Sequence, residues 1–233
     1  VPTADLAGHR WPDVAPDAIL AVPLGSTEQH GPHLPLSTDT DVAVALCARL
    51  AAARADVLVA PPLPFGASGE HAGFAGTLSI GTAALEQVLI ELVRSATDTF
   101  RRVVLVSGHG GNADALTRAV DRLRYEGRDV LAHLPRWSGD AHAGRVETSL
   151  MLALAPQTVR LDRAAAGATL PLPELLPRLR AGGVRSVSPN GVLGDPAGAS
   201  ADEGHRLLAE LGHQLVSAVA AWANPAPVPA ATP

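Results

Sequence analysis

The residues best suited to chemistry crowd into Gly25–Asp41, written GSTEQHGPHLPLSTDTD, where Glu28, His30, His33, Asp39 and Asp41 fall within seventeen positions. In extended backbone, residues two apart project to the same side, so Glu28 and His30 are natural neighbours. Asp39 comes after the proline-stiffened HGPHLPL loop, just before a helix whose cap is expected at Thr40 or Asp41. Its carboxylate can turn back toward the imidazole. A further histidine, His109, stands in SGHGGN (107–112). Carboxylates and imidazoles together make a mixed oxygen and nitrogen set, which suits Zn(2+), Mn(2+) or Fe(2+) better than an all-oxygen Ca or Mg site does. Two divalent ions need more donors than four monodentate side chains supply, unless one carboxylate bridges. Sequence order nominates Asp39 for the bridge. Glu147, in DAHAGRVETS (140–149), is the fifth donor expected: if ETSLMLALA begins a helix, Glu147 lies in its first turn and reaches back together with His142.

The elements that must position these groups are short apolar strands alternating with longer helical patterns. Strands are expected at 18–24, 57–63, 102–108 and 129–135, with internal prolines cutting some of them short. Helical periodicity runs over 41–55, 82–99, 112–126 and 202–222. Strand followed by helix at this spacing predicts an α/β fold with a mostly parallel sheet covered on both faces. Such sheets bind ligands beyond the carboxyl ends of their strands. The opening stretch follows the first strand at that end and SGHGGN follows the third, so His109 can meet the Glu28 and His30 pair. Segments 136–148 and 186–204 are irregular and suit walls or lids, and 170–183 holds a short helical piece with prolines at its margins.

Each remaining polar group has a plain reading beside a functional one. His33 is a loop anchor, a substrate contact or a ligand, and Asp41 a helix-start carboxylate or a metal ligand. Glycine-dense GASGEHAGFAGTLSIG (66–81) brings Glu70 and His71 near a ligand, as supporting groups or substrate contacts. His133 is expected to be a satisfied core or pocket-edge histidine and Trp137 a pocket wall. Trp11 and Trp222 are expected to pack near the termini, and His9, His205 and His213 to be structural or exposed. GHGGN departs from GxGxxG, and all 18 basic residues are Arg, so no Walker lysine exists.

Composition excludes several classes. An apolar fraction of 47% against 18% charged residues supplies a core, and a formal charge of -5 gives no basic stripe for nucleic acid. No run approaches the roughly 18 apolar residues of a membrane span, and no charged start leads into an apolar signal segment, so no membrane partner is expected. A start at Val1 is expected of a chain that begins inside its gene product. Cys47, the only cysteine, permits no intrachain disulfide, fits a reducing cytoplasmic setting and is expected to be buried and inert. The Pro/Ala-rich stretch from Asn224 should trail off unpacked.

Five segments carry a family resemblance: VPLGSTEQHGPHLPLSTDT (22–40), GASGEHAGFAGTLSIG (66–81), VLVSGHGGN (104–112), DAHAGRVETS (140–149) and NGVLGDPAGASADEG (190–204). The chain resembles the creatininase family of metal-dependent amidohydrolases, and within it is similar to the mycofactocin branch, whose members trim a modified precursor peptide. The resemblance implies a single-domain three-layer sandwich over 1–223 followed by a tail at 224–233. It implies a dinuclear centre held by Glu28, His30, Asp39 and His109, with Asp39 bridging, and a homo-oligomer whose neighbouring subunits close the pocket. Creatininase has a Glu in its GHYEN motif where this chain has Gly111, so Glu147 is expected to fill that place. Arg145 stands where many relatives carry Glu after HAG, which argues against creatinine as substrate. The implied reaction releases a C-terminal Val-Tyr-derived unit from the modified precursor, with Glu147 and His142 moving the proton of the attacking water. The same site could instead serve ring-opening of a small cyclic amide or deformylation of a formamide. A non-catalytic metal-binding regulatory protein would be a different class.

Overall fold

The computed structural model describes residues 4–224. Four strands, β1 (Ile19–Leu24), β2 (Val57–Val59), β3 (Arg102–Ser107) and β4 (Val130–His133), form one sheet in the order β2-β1-β3-β4, all parallel. Six α-helices accompany it: α1 (Thr38–Ala53), α2 (Thr82–Ala96), α3 (Ala113–Tyr125), α4 (Arg145–Leu154), α5 (Leu172–Val187) and α6 (Ala201–Ala223). Parallel strands cannot be joined by tight hairpins, and the intervening helices bury both sheet faces. Side chains alternate accordingly. Leu20, Val22 and Leu24 of β1 join Val103 and Leu105 of β3 in a core under α2 and α3. Ile19 and Ala21, with Val104 and Val106, enter the opposite core under α1, α4 and α6. The result is the three-layer α/β sandwich anticipated from the strand and helix pattern.

The strand order decides where a ligand can sit. β1 leads to β2 on one side, whereas β3 leads to β4 on the other, so the direction in which successive strands are added to the sheet reverses between β1 and β3. At such a switch point the loops leaving two adjacent strands diverge to opposite faces and open a crevice. β1 and β3 pair in register from Ile19 with Arg102 to Leu24 with Ser107, which sets the loops carrying Glu28 and His109 side by side.

Several boundaries differ from expectation for identifiable reasons. β2 ends at Val59 because Pro61 and Pro62 have no amide hydrogen to donate, although Ala60 N still reaches Ala21 O and Leu63 N reaches Pro23 O. α1 begins at Thr38, with Ser37 at its cap, so Thr40 and Asp41 lie inside the first turn and are not caps. Asp41 accepts the Ser37 hydroxyl at 2.8 Å. The expected short helical piece near 170–183 is longer, extending to Val187 as two segments joined at Gly183, whose φ of 68° breaks the helix. Trp11 is 89% exposed and packs against nothing substantial, contrary to expectation, because its short N-terminal turn lies outside both cores. Trp222 does pack, beneath Arg102 and with its indole N–H on Asp129. Cys47 is buried beneath the sheet and burial pushes its thiol up to about 12, so it stays protonated and inert. The Pro/Ala-rich tail lies outside the described residues apart from Asn224. No helix among the described residues is long and apolar enough to cross a membrane.

Candidate metal centre

Two glycines let the crevice close tightly. A side chain at Gly25 would strike Thr40, and one at Gly108 would strike the main chain of Asp39. The first turn of α1 therefore wedges between the ends of β1 and β3, which puts Asp39 between His30 and His109. Its Oδ1 lies 3.1 Å from His30 Nε2 and its Oδ2 lies 3.2 Å from His109 Nδ1. Glu28 stands on the far side of His109, with Oε2 at 3.3 Å from His109 Nε2. Glu147 arrives from the first turn of α4, 3.9 Å from His30 Nε2, its Oε2 fixed by the Ala143 amide. Ala143 holds φ 52°, a conformation uncommon for a residue with a side chain. His142, beside it, directs Nδ1 to within 3.8 Å of Glu28 and 4.0 Å of Glu147.

Three imidazoles share one arrangement. His30 Nδ1 meets the carbonyl of Glu28 at 3.2 Å, His109 Nε2 that of Ala67 at 3.2 Å, and His142 Nε2 that of Gln29 at 2.8 Å. A carbonyl can only accept, so in each neutral ring the hydrogen points there and the other nitrogen is bare toward a carboxylate: His30 Nε2 and His109 Nδ1 toward Asp39, His142 Nδ1 toward Glu28 and Glu147. Metal-ligating histidines are typically oriented in this way by an outer partner. Ser26 donates to Glu28 Oε2 at 2.8 Å and is itself bonded to Ser68.

The donors fit divalent ions on two counts. Among the described residues, three sets have ligand atoms mutually within 4.8 Å: Glu28, Asp39 and His109; His30, Asp39 and Glu147; and Glu28, His30 and His142. Asp39 belongs to two of them, one oxygen toward each, as a bridging carboxylate requires. The buried oxygens Glu28 Oε1 and Asp39 Oδ2 also have no hydrogen-bond partner, a costly state for carboxylates that a cation between them would relieve.

Electrostatics describe the same cluster from the proton's side. Burial, reinforced by Asp39, lifts Glu28 to about 7. Burial alone would depress His30 and His109, but Asp39 outweighs it, aided by Glu147 at His30 and by Glu28 at both, and they rise to about 10 and about 9. For Asp39 burial is overcome by the two imidazoles, which hold it far below the usual carboxylate range. His142 is driven well down by burial and by His30 and His71, while burial raises Glu147. Cations would take the place of the protons on His30 and His109.

The other expected residues divide by position. Glu70, 38% exposed at its side chain, lines the cavity with Oε1 at 3.7 Å from His109 Nε2. It also occupies the space into which a side chain at Gly111 would grow. His71 is buried beside Glu28 at 3.2 Å, burial and the neighbouring His109 and His30 lowering it to about 3. Trp137 forms part of the cavity wall. His33 is buried, bonded to Thr148 at 2.9 Å, and does not line the cavity. It anchors the loop to α4. His133 is only half-buried, and its Nε2 has no hydrogen-bond partner, so the expectation of a satisfied ring fails there.

Sequence reasoning passed over Gln29. The residue is 5% exposed, and its side-chain nitrogen reaches His71 Nδ1 at 2.8 Å and the carbonyl of Gly191 at 3.1 Å while its oxygen accepts Gly31 N. One amide thereby links His71, the His30 loop and the 190s segment. The available signal was its place between two donors in TEQH, where a solvated side chain would have been out of character. Ser26 and Ser68 were missed for want of any signal.

The chain matches the family model described as creatininase, creatinine amidohydrolase, over residues 8–219. It is 51% identical over 212 residues to the mycofactocin precursor peptide peptidase of Mycolicibacterium smegmatis, an alignment covering 88% of this chain and 85% of that one. With the creatinine amidohydrolase of Pseudomonas putida it shares 34% identity over 180 residues, 64% of this chain and 69% of the other. A crystal structure of creatinine amidohydrolase superposes with a TM-score of 0.79 at 27% identity, covering 97% of this chain and all of that one (100%). The match spans sheet, helices and the crevice between β1 and β3, and on these grounds the chain belongs to the creatininase family.

Proposed function

We propose that the chain is a metal-dependent peptidase that hydrolyses an amide bond near the end of a modified mycofactocin precursor peptide, releasing its C-terminal Val-Tyr-derived unit. The observation that carries the reading is the buried cluster with two unpartnered carboxylate oxygens at the base of a cavity of about 490 Å³. The 51% identical relative directs it to a peptide. The hydrolase domain of this proposal spans 1–223, in a homo-oligomer placed in the cytoplasm.

In this reading Glu28, Asp39 and His109 would hold one divalent ion, and His30, Asp39 and Glu147 would hold a second, Fe(2+), Zn(2+) or Mn(2+) being the candidates for this donor set. Bound ions of this kind polarise an amide carbonyl and lower the pKa of water. The chain's own residues do the rest. His142, with Nδ1 directed at Glu28 and Glu147, takes the proton of the attacking water and returns it to the departing nitrogen as the carbon–nitrogen bond breaks. Burial, His30 and His71 hold the ring neutral, and the Gln29 carbonyl takes its Nε2 hydrogen, which leaves Nδ1 bare to accept. Glu147, if occupied as a ligand, leaves that task to His142. His71 and His33 hold the shape of the site, and Glu70 and Trp137 face the peptide.

The test is cleavage of precursor peptide with the modified Val-Tyr end, and of its unmodified form, followed by mass spectrometry. Metal-stripped protein and His109→Ala serve as controls, and metal content is measured in parallel. Release of the terminal unit only with metal and intact His109 is expected. Turnover confined to small cyclic amides or formamides would replace the peptidase reading with those alternatives. Binding of metal with no turnover of any amide would favour the regulatory one.

A further inference from the structure

We propose that the wall of the cavity made by α5 is a recognition slot in which Arg180 pairs with a carboxylate of the bound peptide while the leucines beside it hold the adjoining apolar side chain. This rests on the peptidase reading above and names the substrate chemistry of the same site. Asp39, His109, His142 and Glu147 of the cluster line one cavity together with residues of α5. Leu172, Leu176, Leu179 and Arg180 line it, at the spacing that places residues on one helical face. Leu134, Pro135 and Trp137, just past β4, line the same cavity. Leu172 is 42% exposed there, an apolar surface suited to an apolar or aromatic ligand group.

Arg180 is the only arginine lining this cavity, and its guanidinium has no ion pair or hydrogen bond among the described residues. Its neighbours on the same helix are committed elsewhere. Arg178 donates to Ser186 O at 3.0 Å, and Arg185 to Gly73 O at 2.7 Å while stacking near Phe74. The latter bond ties α5 to the turn that carries Glu70, and Gly183, at φ 68°, lets the helix pass against the Glu70 carbonyl where a side chain would collide. The slot is thus fixed relative to the cluster.

Charge sets the orientation. Asp39, Glu70 and Glu147 line the same cavity and would repel a peptide carboxylate, whereas Arg180 offers a guanidinium to pair with it. A peptide bound with its carboxylate on Arg180 presents its interior amide to the cluster. That carboxylate belongs either to the C-terminus or to an acidic side chain near the scissile bond, and guanidinium recognition is the same for both.

The test compares wild type, Arg180→Gln and Arg180→Lys on three peptides: the precursor end with a free C-terminal carboxylate, the same peptide amidated, and the same peptide with its acidic side chains replaced by amides. Arg180→Gln is expected to raise KM by about tenfold, the loss of one charged hydrogen bond, with kcat changed less and partial recovery in Arg180→Lys. The peptide on which wild type and variant no longer differ identifies the carboxylate. An unchanged KM on all three peptides overturns the proposal while cleavage by wild type leaves the peptidase reading intact. If wild type cleaves none of them, calorimetric binding of the same three peptides to the zinc-loaded proteins decides. Weaker binding of the carboxylate-bearing peptides in Arg180→Gln supports the slot, and equal binding of all three overturns it. Unchanged thermal unfolding of Arg180→Gln confirms that the variant reports on recognition.

Discussion

Gln29 shows how one buried side chain can govern a site that it does not itself catalyse. Its amide has two hydrogens and two acceptors to receive them, His71 Nδ1 and Gly191 O, while its oxygen takes the Gly31 amide. Gln29→Leu preserves bulk and removes all three bonds at once. Each partner left unpaired in a buried setting costs about 1–3 kcal/mol. We expect a clear fall in the midpoint of thermal unfolding, and a loss of turnover accompanied by a changed chemical shift for His71. Retention of wild-type stability would mean that water replaces the amide. His142 keeps its bond to the Gln29 main-chain oxygen, so its ring should stay oriented in the variant.

The elements show what was legible in the sequence and what was not. β1, β3 and the four helical stretches stood close to their expected positions because apolar periodicity reports which face is buried, and burial is what these segments contribute. Glu28, His30, Asp39, His109 and Glu147 were legible as a set because their segments all follow strand ends or start helices, where side chains point into the crevice. Gln29 and the α5 wall were not, since both depend on contacts between segments far apart in sequence. The packing of α4 against α6 belongs to this second kind. Gly204 lies so close to Ser149 that an added side chain would meet its carbonyl oxygen and the Ala153 methyl. Helix propensity alone would favour Gly204→Ala by about 1 kcal/mol. The obstacle is backbone, which cannot swing aside, and overpacking of this kind costs about 1–3 kcal/mol. We therefore expect net destabilisation in urea unfolding. Because α4 carries Glu147, weaker metal retention should accompany it, and a stabilised variant would show that the helices separate freely.

At the scale of the whole molecule, folding, protons and ions are linked through the cluster. In the ion-free protein His30 and His109 titrate at about 10 and about 9, so both hold protons at neutral pH. A histidine raised above its unfolded value of about 6.5 contributes stability that is fully present below that value. The contribution is lost as pH rises toward the folded values. Ion-free protein should therefore lose thermal stability progressively between about pH 7 and pH 10. A divalent ion needs the bare nitrogen, so it must displace those protons, and its affinity should climb over the same interval. Ion-loaded protein should then show the opposite slope, or none, because the ion replaces the attraction that protons supplied between the imidazoles and Asp39. The measurement is thermal unfolding of stripped and zinc-loaded protein across this range, with proton release on zinc binding followed by calorimetry in buffers of different ionisation enthalpy. Crossing stability curves, with about two protons released when both sites fill, are expected from the two raised histidines. Parallel curves with no proton release would place the ions elsewhere than at His30 and His109.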